Sequence, residues 1–227
     1  MIIAISQRHN KTERGFADIL ENNYIKYYEK FGLTLIPMPN VSKNINSYFE
    51  TIKIEGIILT GGDDISPSLY KGMNLKENYS EERDKTESAL IKMAIAKKVP
   101  LLATCRGTQM LNVFFGGKLL QKVNDVTGVN HVATRHKVKI VDEKALNLFK
   151  KKEFFVNSYH NHGIDKNTIS KRLRAFAVSE DGLIEGIYHP KYPIAGILWH
   201  PERPGSDIAA DKSFVKSFVE RKFFWKK

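Results

Sequence analysis

The chain has 227 residues, 42% hydrophobic and 27% charged, with 36 Lys and Arg against 25 Asp and Glu for a formal charge of +11. That length can bury a core without disulfides or metals, the composition is ordinary for a soluble globular protein, and no apolar run nears the ~20 residues that span a bilayer. A single cysteine excludes an internal disulfide and fits a reducing compartment, so the cytoplasm is expected. The basic excess draws anions. Yet the cations are scattered, apart from residues 150–152 and the tail cations Arg221, Lys222, Lys226 and Lys227, with no basic and aromatic interleaving of the RNA-binding kind. Neither nucleic acid nor a membrane is an expected partner.

Residues 1–6 read as a first strand and not a signal sequence, followed by a polar loop over 7–10. Phe16, Leu20, Tyr24, Tyr27, Tyr28 and Phe31 recur at helical spacing and predict a helix stopped by Gly32. A second strand over 33–36 ends at Pro37 and Pro39, and a weak helix covers about 44–51. A third strand, 56–60, runs into Gly61 and Gly62. Residues 73–84 read as a long polar loop, and Thr86, Leu90, Met93 and Ala94 mark a helix ending near Lys98. Residues 99–104 form a short apolar strand. An apolar helical run follows, with Gly116 and Gly117 as its stop. The second half is richer in strands, at 137–141, 154–158, 175–178, 183–188 and 194–198, with a final amphipathic helix over 207–223. Alternating strands and helices predict an α/β fold with a mostly parallel central sheet flanked by helices and a smaller antiparallel extension. No repeat or linker interrupts 1–227, so one domain is expected.

Cys105, the only cysteine, falls between the 99–104 strand and the helix after it, with small Ala103 and Gly107 two positions away on either side. A nucleophile on a sharp strand-to-helix turn needs small flanks, and the helix N-terminus favours the thiolate. A buried apolar cysteine is the competing reading. Arg106, Gln109 and Asn112 weigh against it, because three polar groups on an otherwise apolar helix need partners that a polar substrate would supply. His200 ends the last apolar run, and Glu202 follows past Pro201, placed to hold one imidazole nitrogen while the other faces the thiol. A strand-capping histidine beside a solvated acid is the alternative there. Ligands bind beyond the carboxyl ends of parallel strands, so Gly61, Gly62 and Cys105 should converge. A backbone N–H at Gly62 and that of Arg106 would then serve an oxyanion. His160 and His162 alternate by two and would share one face of a strand. No third and fourth ligand stands at a convincing spacing, so no metal or other cofactor is expected.

Together these pieces resemble the class I glutamine amidotransferase-like superfamily. The resemblance rests on Leu59-Thr60-Gly61-Gly62-Asp63-Asp64-Ile65-Ser66-Pro67, on Cys105-Arg106-Gly107-Thr108-Gln109-Met110-Leu111-Asn112-Val113 with Gly116-Gly117, and on Trp199-His200-Pro201-Glu202. Arg83-Asp84 with Glu87, and Arg106 itself, resemble the γ-glutamyl hydrolase (peptidase C26-like) branch. Within it the chain is similar to the γ-glutamyl-CDP-amidate hydrolases of bacterial capsule phosphoramidate synthesis. The resemblance implies a flavodoxin-like fold and a catalytic triad of Cys105, His200 and Glu202. It also implies release of glutamate from a small anionic γ-glutamyl amide, best matched by CDP-linked glutamine. γ-Glutamyl-GABA hydrolysis, or ammonia supply to a partner synthase, is the alternative. Gly61, Gln109, Ser158, Tyr159 and His160 match where the family holds the glutamyl group, and Arg8, His131 and Arg135 are candidates for the leaving-group side. A homodimer is compatible with the pattern. Lys118, Lys122, Asn161 and His162 depart from the family's usual residues.

Overall fold

The computed structural model describes residues 1–75 and 78–226. Strand β1 (Ile2–Ile5) leads into a hairpin of β2 (Arg8–Thr12) and β3 (Gly15–Ile19). Then come α1 (Asn22–Tyr28), β4 (Thr34–Pro37), α2 (Ile45–Thr51), β5 (Gly56–Leu59), α3 (Glu81–Lys97), β6 (Leu101–Thr104) and α4 (Arg106–Phe114). The second half holds α5 (Val123–Thr127), β7 (Val132–Ile140), α6 (Glu143–Phe149), β8 (Glu153–Tyr159), β9 (Arg174–Ser179), β10 (Ile184–Tyr188), β11 (Ile194–Ile197) and α7 (Ile208–Val219).

One sheet runs β4-β1-β5-β6-β11-β10-β9-β7-β8. Its first five strands pair in parallel, and the pairings from β11 to β8 are antiparallel. The antiparallel extension is therefore as broad as the parallel half. The central strands β5, β6 and β11 are buried along their whole length, as strands covered on both faces must be. Alternate side chains divide the core in two. Ile57, Leu59, Leu101 and Ala103 pack with Leu90, Ile91, Met110 and Leu111 of α3 and α4. Ile3, Ile5, Ile58 and Leu102 face Tyr24 and Tyr28 of α1 and Phe214 and Phe218 of α7. No helix among the described residues is long and apolar enough to cross a membrane.

Two expectations are corrected. The helix predicted from Phe16 begins only at Asn22, because residues 8–19 pair as an antiparallel hairpin with Arg8 opposite Ile19. Phe16 is 66% exposed and stacks on His9, so its helical spacing from Leu20 was coincidental. The loop expected over 73–84 gives way to α3 at Glu81. There the Ser80 hydroxyl caps the Arg83 N–H at 3.2 Å, and Glu81, Glu82 and Asp84 complement the helix dipole. Residues 76–77 of that loop lie outside the described residues. Strand β7 also starts five residues before its expected position, and α5 and α6 were not anticipated.

Candidate active site

Cys105 stands between β6 and α4 with φ 50° and ψ −111°. A side chain rarely adopts that backbone, and the conformation turns the chain sharply enough to leave the sulfur at the helix N-terminus. Its amide donates to the Ile197 carbonyl at 2.8 Å, tying the turn to β11. The small flank at Gly107 has a steric cause: a Cβ there would lie 2.6 Å from the Leu59 carbonyl oxygen.

His200 lies three residues past the end of β11. Asn157, on β8, holds both of its backbone groups, accepting from the His200 N–H and donating to the His200 carbonyl, each at 2.8 Å. The imidazole Nδ1 lies 2.5 Å from Glu202 Oε1, and both side chains are buried. The Cys105 sulfur acts on the same imidazole through its charge. Burial alone would raise the Cys105 thiol pKa, but the His200 charge and hydrogen bond, then His160 and the Arg106 N–H, bring it below its ordinary value. Burial opposes charge on His200 as well. The Cys105 thiolate and the Glu202 carboxylate outweigh it and push the imidazole up to about 9. Each group thus favours the charged form of the other, thiolate beside imidazolium.

The glycine loop after β5 closes over this pair. A Cβ at Gly61 would lie 2.6 Å from His200 Cε1 and 3.4 Å from Cys105 Cβ. The Gly61 N–H donates to the Tyr24 hydroxyl at 2.8 Å, so Gly61 serves by close approach and not as a donor to substrate. Gly62 has φ +130°, and a Cβ there would meet Arg8 Nε and Arg83 Nη1 at 2.7 Å. Buried Arg83 grips the loop from behind, donating to the Thr60 carbonyl at 3.0 Å and the Gly61 carbonyl at 2.8 Å.

The polar residues of α4 find partners within the protein, which corrects the expectation that substrate would supply them. Arg106 donates from Nη2 to Asp84 Oδ1 at 2.5 Å and from Nη1 to Glu87 Oε2. Glu87 Oε1 also takes Arg83 Nε at 3.0 Å and the Ser6 hydroxyl at 2.9 Å. This network of two guanidiniums and two carboxylates ties the Cys105 turn to α3 and, through Arg83, to the glycine loop. Asn112 donates to the Lys118 and Thr168 carbonyls and accepts from the Ser170 N–H. Gln109 donates to the His162 carbonyl at 2.8 Å.

Tyr159 lies edge-on to the His200 ring, centroids 5.5 Å apart, with the Arg203 guanidinium 4.8 Å from its own ring centre. Arg8 reaches the mouth of the site beside Gly62 and pairs with Glu21 at 3.0 Å. The Ser158 hydroxyl is committed to the His131 carbonyl at 2.7 Å. His131 itself is buried against Asp181 at 2.9 Å, so it does not face an open leaving-group side. Arg135 is exposed and held by the Gly205 carbonyl at 2.7 Å. His160 and His162 lie past the end of β8, and they separate: His162 turns to Asp64 at 3.2 Å, while His160 faces Glu185. Tyr24, Asn157 and Arg203 were missed from sequence, since each acts through a partner remote in the chain.

Residues 1–202 match the model of the family described as Peptidase C26. The glutamine amidotransferase-like protein YvdE of Lactococcus lactis is 33% identical over 208 residues, covering 87% of this chain and 86% of that protein. The gamma-glutamyl-gamma-aminobutyrate hydrolase PuuD of Escherichia coli K12 is 27% identical over 235 residues, covering 96% and 92%. Among solved structures, the glutaminase domain of Trypanosoma brucei CTPS superposes with a TM-score of 0.65 at 12% identity, over 99% of this chain and 96% of that one.

Proposed function

The chain belongs to the peptidase C26 family, and from that premise we propose that it is a cysteine-dependent hydrolase of γ-glutamyl amides. One observation supports the reading: Cys105, His200 and Glu202 are all buried, with Glu202 Oε1 2.5 Å from His200 Nδ1 and the charges of Cys105 and His200 each favouring the other. The Cys105 thiolate attacks the γ-carbonyl, while the N–H groups of Gly62 and Arg106 receive the oxyanion. His200, as imidazolium, gives its proton to the departing nitrogen as the C–N bond breaks, leaving a γ-glutamyl thioester. Neutral His200 then takes a proton from water, the hydroxide displaces the sulfur, and glutamate leaves as the thiolate re-forms. Glu202 fixes the tautomer and stabilises the imidazolium. Tyr159, edge-on to the His200 ring, borders the place for the glutamyl group.

The leaving group we infer is a nucleoside diphosphate amide, as in CDP-linked glutamine. At the mouth, Arg8 and Arg203 share the carboxylate of Glu21 at 3.0 and 3.1 Å, and Arg203 also pairs with Glu202 at 3.7 Å, so the Arg8 guanidinium holds only part of one carboxylate. A diphosphate would meet that charge, and the chain's +11 extends the attraction. γ-Glutamyl-GABA offers it less. A panel of glutamine, γ-glutamyl-GABA, folate polyglutamates and CDP-linked glutamine, scored by glutamate release, tests both levels. CDP-linked glutamine should give the highest kcat/KM, with Cys105→Ala inactive on all four. Glutamate release surviving in Cys105→Ala would refute the reaction. A preference for γ-glutamyl-GABA would refute the leaving group alone, and free glutamine turned over only with an added synthase would favour an ammonia-supplying subunit.

A further inference from the structure

The antiparallel half of the sheet buries a second cluster of chemistry-bearing side chains. His131 precedes β7, His136 lies on it, His160 follows β8, and Glu185 lies on β10. Glu185 is fully buried, and both its carboxylate oxygens lack a hydrogen bond, as do His160 Nε2 and both ring nitrogens of His136. Unsatisfied buried polar atoms are costly and rare enough to need a reason. These face one another. His136 Nε2 and His160 Nε2 each stand 3.4 Å from Glu185 Oε1. That exceeds an ordinary hydrogen bond. It matches the edge of a tetrahedron, since ligands about 2.1 Å from a common centre stand roughly 3.4 Å apart.

The third imidazole completes the arrangement. The His131 ring centroid lies 4.7 Å from that of His136 and 5.0 Å from that of His160. Donor atoms of His131, His160 and Glu185 all fall within 4.8 Å of one another. Two of the three imidazoles already have an outward nitrogen held as metal-binding imidazoles need. His160 Nδ1 meets the His162 carbonyl at 3.0 Å, and His131 Nε2 meets Asp181 at 2.9 Å. Each partner keeps the proton on its own side, the carboxylate–histidine pattern of metal sites; the opposite nitrogen of His160 stands at Glu185, and that of His131 lies 3.4 Å from the Ser158 hydroxyl, which a bound cation would displace.

We propose that His131 Nδ1, His160 Nε2 and the Glu185 carboxylate, with His136 Nε2 drawn in from its place 3.4 Å from Glu185, close into a four-coordinate site for a divalent zinc-class cation. Three imidazoles and one carboxylate suit zinc, and no protein ligand is left over for an open catalytic position beyond these four. The cation would stitch β7, β8 and β10 together. It would also fix His160, whose charge reaches Cys105. The sequence spacing concealed the site because its ligands come from three strands, while the neighbouring His162 goes to Asp64.

Chelator-treated full-length protein, titrated with Co²⁺ and then Zn²⁺, tests the assignment. Cobalt supplies visible d–d bands diagnostic of four-coordination, and the Cys105→Ala background removes the competing thiolate. The expected result is saturation at one Co²⁺ per chain, displacement by Zn²⁺, and the same bands in wild type and Cys105→Ala. Zn²⁺ should also raise the melting temperature of both. In Glu185→Gln and His136→Asn, checked for fold by circular dichroism, the bands should disappear. Folded wild type without four-coordinate bands would overturn the site, leaving a buried imidazole–carboxylate proton network. So would bands lost in Cys105→Ala, which place the ion at the nucleophile, or bands retained in folded Glu185→Gln. Should neither cluster variant fold, the wild-type and Cys105→Ala titrations still decide. None of these readouts requires turnover, so failure here is separate from failure of the hydrolase reading.

Discussion

Replacing Arg106 by Met separates a guanidinium that builds the site from one that binds substrate. In the structure Arg106 is 1% exposed, and its charge is spent on Asp84 and Glu87. Arg83 is the other cation on Glu87. Methionine retains most of the volume, so the cavity cost is small. Two buried carboxylates would then share one guanidinium. Breaking a buried ion pair from one side costs about 3–5 kcal/mol. At roughly 2–4 °C per kcal/mol for a chain of this size, the melting temperature should drop by about 6–20 °C. Burial already holds the Asp84 carboxyl above its ordinary value, and losing Arg106 would raise it further. A folded-state pKa raised above the unfolded one contributes stability below the unfolded value and loses it as pH rises. The deficit of the variant should therefore shrink as pH falls into the carboxylate range. Thermal melts followed by near-UV circular dichroism across pH measure this directly. An unchanged melting temperature together with a raised KM would refute the reasoning, because the side chain would then face substrate.

Gly62→Ala should lower kcat by roughly a hundredfold, about 3 kcal/mol, because the new Cβ meets Arg8 and Arg83 and rotates the oxyanion N–H away. Single-turnover thioester formation measures it, and a normal rate would remove Gly62 from that role. Glu202→Gln should cost about 10²–10⁴ in kcat, while wild-type kinetics would exclude an orienting carboxylate. Iodoacetamide should alkylate Cys105 with a midpoint below the usual thiol range, and His200→Ala should move that midpoint up; equal midpoints would mean that His200 does not hold the thiolate. Burial pushes the Asp211 carboxyl up to about 6 even though Trp199 Nε1 donates to it at 2.8 Å. The folded state thus holds that proton more tightly than the unfolded state at 3.8. Its contribution, roughly 3 kcal/mol by the shift, is full below the unfolded value and is lost as pH rises through 6. Urea melts of Asp211→Asn should lack that pH-dependent part, and a curve parallel to wild type would contradict it.

Much of the site was legible in the chain because its signals are local. Small residues around Cys105, the glycine pair after a strand and the acid two positions past His200 each reflect a constraint satisfied within a few residues. The short apolar runs at 56–59, 101–104 and 194–197 likewise declare strands buried on both faces. Helical spacing misled at Phe16, because periodicity cannot tell a stripe packed on a core from apolar side chains on an exposed hairpin. It was silent at Glu81, where the cap and the acids of the first turn, not apolar spacing, start the helix.

By itself the sequence determined the alternation of strands and helices, the order of the three motifs and which residues are candidates for the reaction, since spacing and residue chemistry are encoded locally. Only the tertiary structure decided what the buried polar groups meet. Arg106 faces Asp84 and Glu87, Asn157 grips His200, Tyr24 occupies the Gly61 N–H, and His131, His136 and His160 gather around Glu185. Partners tens of residues apart are chosen by strand order and register, and a desolvated charge can be settled only once the sheet has brought its counterpart alongside.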